Sequence, residues 1–363
     1  MGLRTGLIGL ANVGKTTVFN ALVTGRATAA NYPFATVEPS IGVVPLADRR
    51  LDRLAEIFRS KKVTPSTLEV RDIAGLVKGA SQGDGLGNQF LAQIREVDAL
   101  IHVVRCFDAP DVVHVAGSVD PARDVEVVET ELMLTDLQML ERRRERTAKR
   151  VKAGEAKAAR ESELVERLSQ LLNHGEWLAG HPFSFEERAL LKEIPLLTLK
   201  PVVFVANMGE AAGSGDRYVL AVRELGAKRG APVVPLCGQL EAELASLGVE
   251  EREDYLRELG LGESGLSRLT RTAYTLLSLI TFFTAGEEEA RAWPIRKGTR
   301  AAEAAGKIHS DMERGFIRAE VFTFDDLVAC GNVAAIREQG LFRLEGRDYE
   351  LKEGDVVYFR FNV

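Results

Sequence analysis

The chain has 363 residues, 45% of them hydrophobic and 28% charged, with a formal net charge of −6. That length suits two or three domains with cores of their own, and the composition is globular, which excludes disorder, a fibrous repeat and low complexity. The acidic balance excludes a general attraction to nucleic acid, so such a partner would have to meet a local basic patch. No apolar run approaches the roughly 18 residues of a membrane span, and "MGLRTGLIGL" feeds straight into a motif rather than a cleavable leader. A cytoplasmic protein with no membrane partner is expected. Cys106, Cys237 and Cys330 lie far apart with no metal-ligand spacing, which reads as buried thiols in a reducing compartment.

In chain order, residues 3–8 form an apolar strand, 9–17 a loop, and "TVFNALVTG" a helix closed by Gly25. Further strands are expected at 67–75, 99–107, 201–208 and 231–238, each rich in Val, Ile or Leu. Near-continuous apolar strands alternating with helices predict a doubly wound parallel sheet. Residues 128–197 interrupt it with Leu134, Leu137 and Leu140, then Leu164, Leu168, Leu171 and Leu172, at helical spacing. A turn at Ala153 and Gly154 would fold two long helices into a projecting antiparallel hairpin. Beyond about residue 271 a small α+β module follows, ending in a strand with Val356, Tyr358, Phe359 and Phe361. Trp293, Phe316 and Phe322 read as its core. The expected boundaries are 1–127 plus 198–275, 128–197 and 276–363.

The loop "GLANVGKTT" carries Gly9, Gly14, Lys15 and Thr16 in the pattern GxxxxGK[ST], after a strand and before a helix. Glycines let backbone N–H groups curl around phosphates, Lys15 neutralises the β and γ oxygens, Thr16 ligates Mg²⁺, and the helix N-terminus adds its positive end. Asn12, Val13, Gly14, Lys15, Thr16 and Thr17 are therefore candidate nucleotide contacts. "NYPFATVEP" supplies Thr36, placed to reach Mg²⁺ and the γ-phosphate. "RDIAGL" supplies Asp72 to hold a magnesium water and Gly75, whose N–H would meet the γ-phosphate.

These motifs, with "DIAGLVKGASQGDGLGNQFL", the helical insertion and the terminal "GDVVYFRFNV", resemble the YchF branch of the Obg family of nucleotide hydrolases along essentially the whole chain. The resemblance implies a Ras-like P-loop domain, a coiled-coil hairpin, a C-terminal β-grasp module of the TGS kind, and a ribosome-binding ATPase. Guanine-specific relatives read the base with Asn-Lys-x-Asp, whereas this chain has Asn207, Met208, Gly209 and Glu210. The longer Glu210 carboxylate should overshoot the guanine edge, and Met208 replaces the lysine, so guanine selectivity is relaxed. The resemblance implies ATP in preference to GTP. "LCGQLE" (236–241) occupies the place of the base-stacking loop.

Where Ras-like enzymes carry a water-orienting Gln, this chain has Leu76, which cannot hold water. Activation must come from elsewhere. Asn12 stands at a position that helps bind K⁺ in related switches, and His114 stands where the resembled family carries a histidine, a candidate to position the water. Lys15 and His114 are the catalytic candidates; Thr16, Thr36 and Asp72 the metal ligands. Between Glu141 and Arg160 nine basic residues face three acidic ones, +6 locally, with no aromatic among them. That points to RNA backbone rather than base contact, on the large ribosomal subunit if the resemblance holds, and not to DNA. Lys307, His309, Arg314, Arg318 and Arg360 give the last module a compatible surface. The expected protein is a monomeric Mg²⁺-dependent triphosphatase switch that binds ATP or GTP; a GTP/GDP switch and a ribosome-binding module with negligible turnover remain the alternatives. A small-molecule kinase is disfavoured, as no acceptor site is visible.

Overall fold

The computed structural model describes residues 3–27, 40–73, 75, 85–210, 213 and 215–362. The chain divides into two compact units, Met1–Val44 with Glu69–Ala273 and Pro45–Leu68 with Tyr274–Val363.

The apolar β1 (Leu3–Ile8) leads through the glycine loop into α1 (Lys15–Ala27). That helix continues past Gly25, since a single glycine costs a helix only about 1 kcal/mol. β2 (Ile41–Pro45) and α2 (Arg49–Phe58) follow, the helix opened by an Asp48 carboxylate that accepts the Arg50 N–H. Next come β3 (Lys62–Thr64), β4 (Thr67–Asp72), α3 (Gly85–Arg95) and β5 (Ala99–Cys106), the last buried along its whole length as a central strand must be. Pro121 opens the 32-residue α4 (Pro121–Lys152), with Asp120 accepting the Arg123 N–H as its cap. The chain reverses where Gly154 takes φ +82°, then forms α5 (Ala156–Asn173) and α6 (Phe185–Leu191). β6 (Val202–Met208), α7 (Arg217–Arg229), β7 (Val233–Leu236), α8 (Gly238–Ser246), α9 (Val249–Glu258) and α10 (Gly265–Leu276) complete the run. The C-terminal stretch holds β8 (Leu279–Ala285), β9 (Glu289–Arg296), α11 (Ala301–Ile308), α12 (Ser310–Arg314), β10 (Phe316–Thr323), α13 (Phe324–Cys330), α14 (Val333–Glu338), β11 (Arg343–Glu345) and β12 (Asp355–Phe361).

In the first unit the sheet order is β2-β4-β1-β5-β6-β7, with β1–β5, β5–β6 and β6–β7 parallel. Chain order reverses at β1, and in such sheets ligands bind beyond the strand carboxyl ends at the reversal. The glycine loop leaves β1 there, and the register Asn207↔Leu236 brings the loops after β6 and β7 to the same edge. The helical hairpin is the inserted element. Leu140 and Thr147 of α4 are buried, as are Ala158, Leu164 and Leu168 of α5, while Leu134 is exposed. At the hairpin's base, the fully buried Asp136 carboxylate accepts the N–H groups of Leu197 and Thr198 at 2.9 and 2.8 Å, and the Thr198 hydroxyl at 2.7 Å.

The second unit is a β-grasp arrangement with order β11-β10-β12-β8-β9-β3. β8 and β12 run parallel at its centre, and β3, from the early part of the chain, adds parallel to β9. Alternate side chains feed opposite faces. Phe282, Val321 and Val357 pack with the alanines of α11, while Phe283, Phe322 and Val356 pack with Leu51 and Leu54 of α2, Leu327 and Ile336. Trp293 and Phe316 lean on the first of these cores.

Candidate functional site

The glycine loop owes its path to three residues in conformations that side chains resist: Gly9 at φ +145°, Asn12 at +61° and Gly14 at +93°. A Cβ on Gly14 would stand 2.3 Å from Asn207 Nδ2, so only glycine fits. Lys15, 7% exposed, donates from Nζ to the carbonyls of Gly9 at 3.2 Å and Leu10 at 2.7 Å. Burial pushes its ammonium below the usual lysine range, with Asp72 pulling it partly back. Beneath the loop, burial and then the Lys15 charge push His102 down to about 3, so the ring stays neutral.

The Thr16 hydroxyl donates to Asp72 Oδ2 at 2.9 Å, which brings two of the three expected metal ligands together. Gly75 lies against the loop as well: a Cβ there would meet Lys15 Nζ at 3.1 Å and Ala11 N at 3.3 Å. Thr17 is exposed at the start of α1. Thr36 and Leu76 lie outside the described residues.

Asn207 is a tie rather than a free reading group. Its Nδ2 donates to Val13 O at 2.8 Å and its Oδ1 accepts the Gly238 N–H at 2.9 Å, which fixes the phosphate loop to the first turn of α8. Met208 is half-buried and Glu210 exposed at the end of β6. Burial, with the Glu210 and Glu241 charges, pushes the Cys237 thiol up at the head of α8, and the Gly238 N–H that follows it bonds Asn207.

The segment after β5 joins this loop to the hairpin. Asn12 Nδ2 donates to Val113 O at 3.1 Å. The neighbouring His114 is buried, its Nδ1 accepting the Ala116 N–H at 3.1 Å, which leaves Nε2–H to donate to Asp124 in the first turn of α4 at 2.8 Å. Asp124 also accepts from Arg123 at 3.0 Å.

A family model described as "50S ribosome-binding GTPase" matches residues 4–151, and a YchF GTPase C-terminal model, described as a protein of unknown function (DUF933), matches 279–362. The "Ribosome-binding ATPase YchF" of Escherichia coli O157:H7 is 48% identical over 363 residues, covering all of both chains, and that of Bacillus subtilis strain 168 is 46% identical over 366. The chain belongs to the YchF family. A solved structure, that of the Schizosaccharomyces pombe YchF GTPase, is 34% identical and superposes with a TM-score of 0.89, covering 99% of this chain and 98% of that one.

Within this YchF-family fold, five of the nine basic residues between 141 and 160 are held by carboxylates. Arg143 pairs with Glu161, Arg144 with Glu141, Arg150 with Glu155, Lys157 with Glu193 and Arg160 with Glu186. Arg142, Arg146, Lys149 and Lys152 have no ion pair among the described residues. In the second unit Arg318 and Arg360 pair with Glu320 and Arg314 with Asp311, which takes them out of the free charge.

Two residues of this site went unnoticed in the sequence. Arg105, 2% exposed, has no carboxylate partner among the described residues; it donates to the carbonyls of Phe107, Ala109 and Val112 at 3.1, 3.3 and 3.0 Å and so shapes the turn that presents Val113 and His114. An arginine inside the apolar run "ALIHVVRCF" was the signal. Asp124 gave none, because its partner is set by how α4 docks.

Proposed function

We propose that this chain is a Mg²⁺-dependent P-loop nucleoside triphosphatase that hydrolyses ATP and acts as a nucleotide switch on the ribosome. The observation that carries the reading is the buried Lys15 ammonium, whose contacts are neutral carbonyls and whose pKa burial has lowered; such a group favours an anion beside it. Thr16 and Asp72 are hard oxygen donors already 2.9 Å apart and fit Mg²⁺, with Thr36 as the third ligand. The ion, when bound, neutralises charge on the phosphates. The Gly75 N–H, on the phosphate side of Lys15, serves as the γ-phosphate contact whose engagement differs between triphosphate and diphosphate.

Adenine preference rests on Met208 and Glu210, with GTP or GDP accepted less well. Asn12 is the proposed K⁺ ligand through its Oδ1, since its Nδ2 already serves Val113. His114 is the proposed water-positioning residue. To act, its ring leaves Asp124 and Ala116, so the buried arrangement is the resting one. The ribosomal partner is supported by the ribosome-binding relatives and by Arg142, Arg146, Lys149 and Lys152, which have no ion pair among the described residues; contact through RNA backbone of the large subunit, by a cytoplasmic monomer, completes the proposal.

Single-turnover ATP hydrolysis with and without large ribosomal subunits tests it, on the parent, Lys15→Ala and His114→Ala chains. Hydrolysis should require Lys15, rise with subunits and fall about 10²-fold or more in His114→Ala with ATP still bound. No Lys15 dependence and no stimulation would overturn the enzyme reading. It would leave a ribosome-binding module with negligible turnover, the second reading, which the engagement of both His114 ring nitrogens favours.

A further inference from the structure

Away from the phosphate loop, α3, α4 and the segment after α6 border an open pocket of about 370 Å³. One stripe of α4 faces it, with Met139, Arg142 and Arg146 spaced by three and four residues, while Leu91 and Arg95 face it from α3 and Ile194 closes it. The volume falls within the range of small-ligand sites. Its charge is mostly positive. Arg143 and Lys157 both engage Glu193, the lining carboxylate, and Arg95 lies within charge range of the buried Asp136. Arg95, Arg142 and Arg146 make no side-chain hydrogen bond or ion pair among the described residues. Three planar guanidinium groups, each able to grip two phosphate oxygens, thus stand around an apolar wall of Leu91, Met139 and Ile194.

We propose that this cavity is a second, phosphate-reading nucleotide site, in which the arginines hold a 5′-phosphate and the apolar wall receives the sugar and base. The thin selectivity of an apolar wall means that no particular base is required. The same chemistry is offered by a free mononucleotide and by an unstacked residue of single-stranded RNA. The site's existence does not depend on hydrolysis or on ribosome binding, and its test uses neither.

Calorimetric titration of UMP into full-length protein saturated with ADP and Mg²⁺ keeps the phosphate loop filled, and a monophosphate lacks the β-phosphate that loop grips. One UMP per chain should bind, with uridine at least tenfold weaker. The Arg142→Ala, Arg146→Ala double variant should lose UMP by tenfold or more, with its folding checked by circular dichroism. Met139→Ala, which leaves every charge in place, should weaken UMP and leave inorganic phosphate unchanged. A ten-nucleotide oligouridylate distinguishes the sources: displacement by UMP with loss in the double variant supports the site with RNA as ligand, and UMP binding without that competition supports it with a free nucleotide. Absence of saturable UMP binding, or binding equal in parent and double variant, overturns the proposal.

Discussion

Replacing Asn207 by alanine removes a side chain that is 4% exposed and serves two buried backbone groups at once, Val13 C=O at 2.8 Å and Gly238 N–H at 2.9 Å. Each would lose its partner in a site closed to bulk water, and an orphaned buried group costs about 1–3 kcal/mol. Water entering the space left by the carboxamide recovers part of that, so a loss of about 2–4 kcal/mol is expected. Because the chain has two compact units, the measurement must report on the first alone. Trp177, buried in that unit and donating to Lys200 O at 3.2 Å, does so by fluorescence in a Trp293→Phe background during urea unfolding. Nucleotide affinity should fall by roughly tenfold or more, since the Val13 carbonyl no longer sets the loop's path. Asn207→Asp keeps an acceptor for Gly238 but puts a carboxylate oxygen against the Val13 carbonyl, and should be no better than alanine. A change below about 0.5 kcal/mol in Asn207→Ala, with unaltered nucleotide affinity, would refute the idea that this residue ties the two loops.

Gly14→Ala places a methyl 2.3 Å from Asn207 Nδ2 at a φ of +93°, and equilibrium dialysis with ATP should find no binding while circular dichroism retains the fold. In the hairpin, burial would raise the Glu161 carboxyl, but hydrogen bonding and charge from Arg143, with Thr147 and Arg150, outweigh it and hold the group below its usual range. A lowered folded value contributes stability that is present above the unfolded pKa of 4.5 and lost as pH falls through the folded value. Glu161→Gln should therefore lower the melting temperature at pH 7, by a loss of about 1–3 kcal/mol, and the gap from the parent should close as scans descend below pH 4.5. Thr16→Val keeps shape but removes the hydroxyl that meets Asp72, and should raise the Mg²⁺ concentration needed for half-maximal ATP binding by about tenfold; Thr16→Ser should restore it.

The phosphate loop was legible because its chemistry is local: Gly9, Gly14, Lys15 and Thr16 sit within eight residues, and the spacing alone dictates the turn. The hairpin was legible from leucine periodicity and the Gly154 turn, although Leu134 proved exposed, since each three-residue step drifts about 60° and two of them carry it off the face of Leu140. What Asn207 does was not legible. Its partners lie 194 and 31 residues away and meet it only through the order of β1, β6 and β7. Residues 45–68 join the second unit with no change in composition to mark the excursion. Likewise the net charge of the 141–160 stretch was plain, but which arginines remain unpaired depends on Glu186 and Glu193, brought back by the loop around α6.

α4 spans 32 residues without a break, about 48 Å at 1.5 Å per residue. Its first turn holds His114 through Asp124, and the residue before His114 holds Asn12 of the phosphate loop. The same helix is tied again at Asp136, by Leu197 and Thr198, and only the part beyond that tie is free to swing as a lever. A rotation of about 10° about Asp136 sweeps Lys149 and Lys152, roughly 20 and 24 Å further along, through about 3–4 Å, the length of a hydrogen bond or an ion pair. A small rotation at the hairpin's base is therefore large enough, at the far end, to make or break a contact between the tip and a partner.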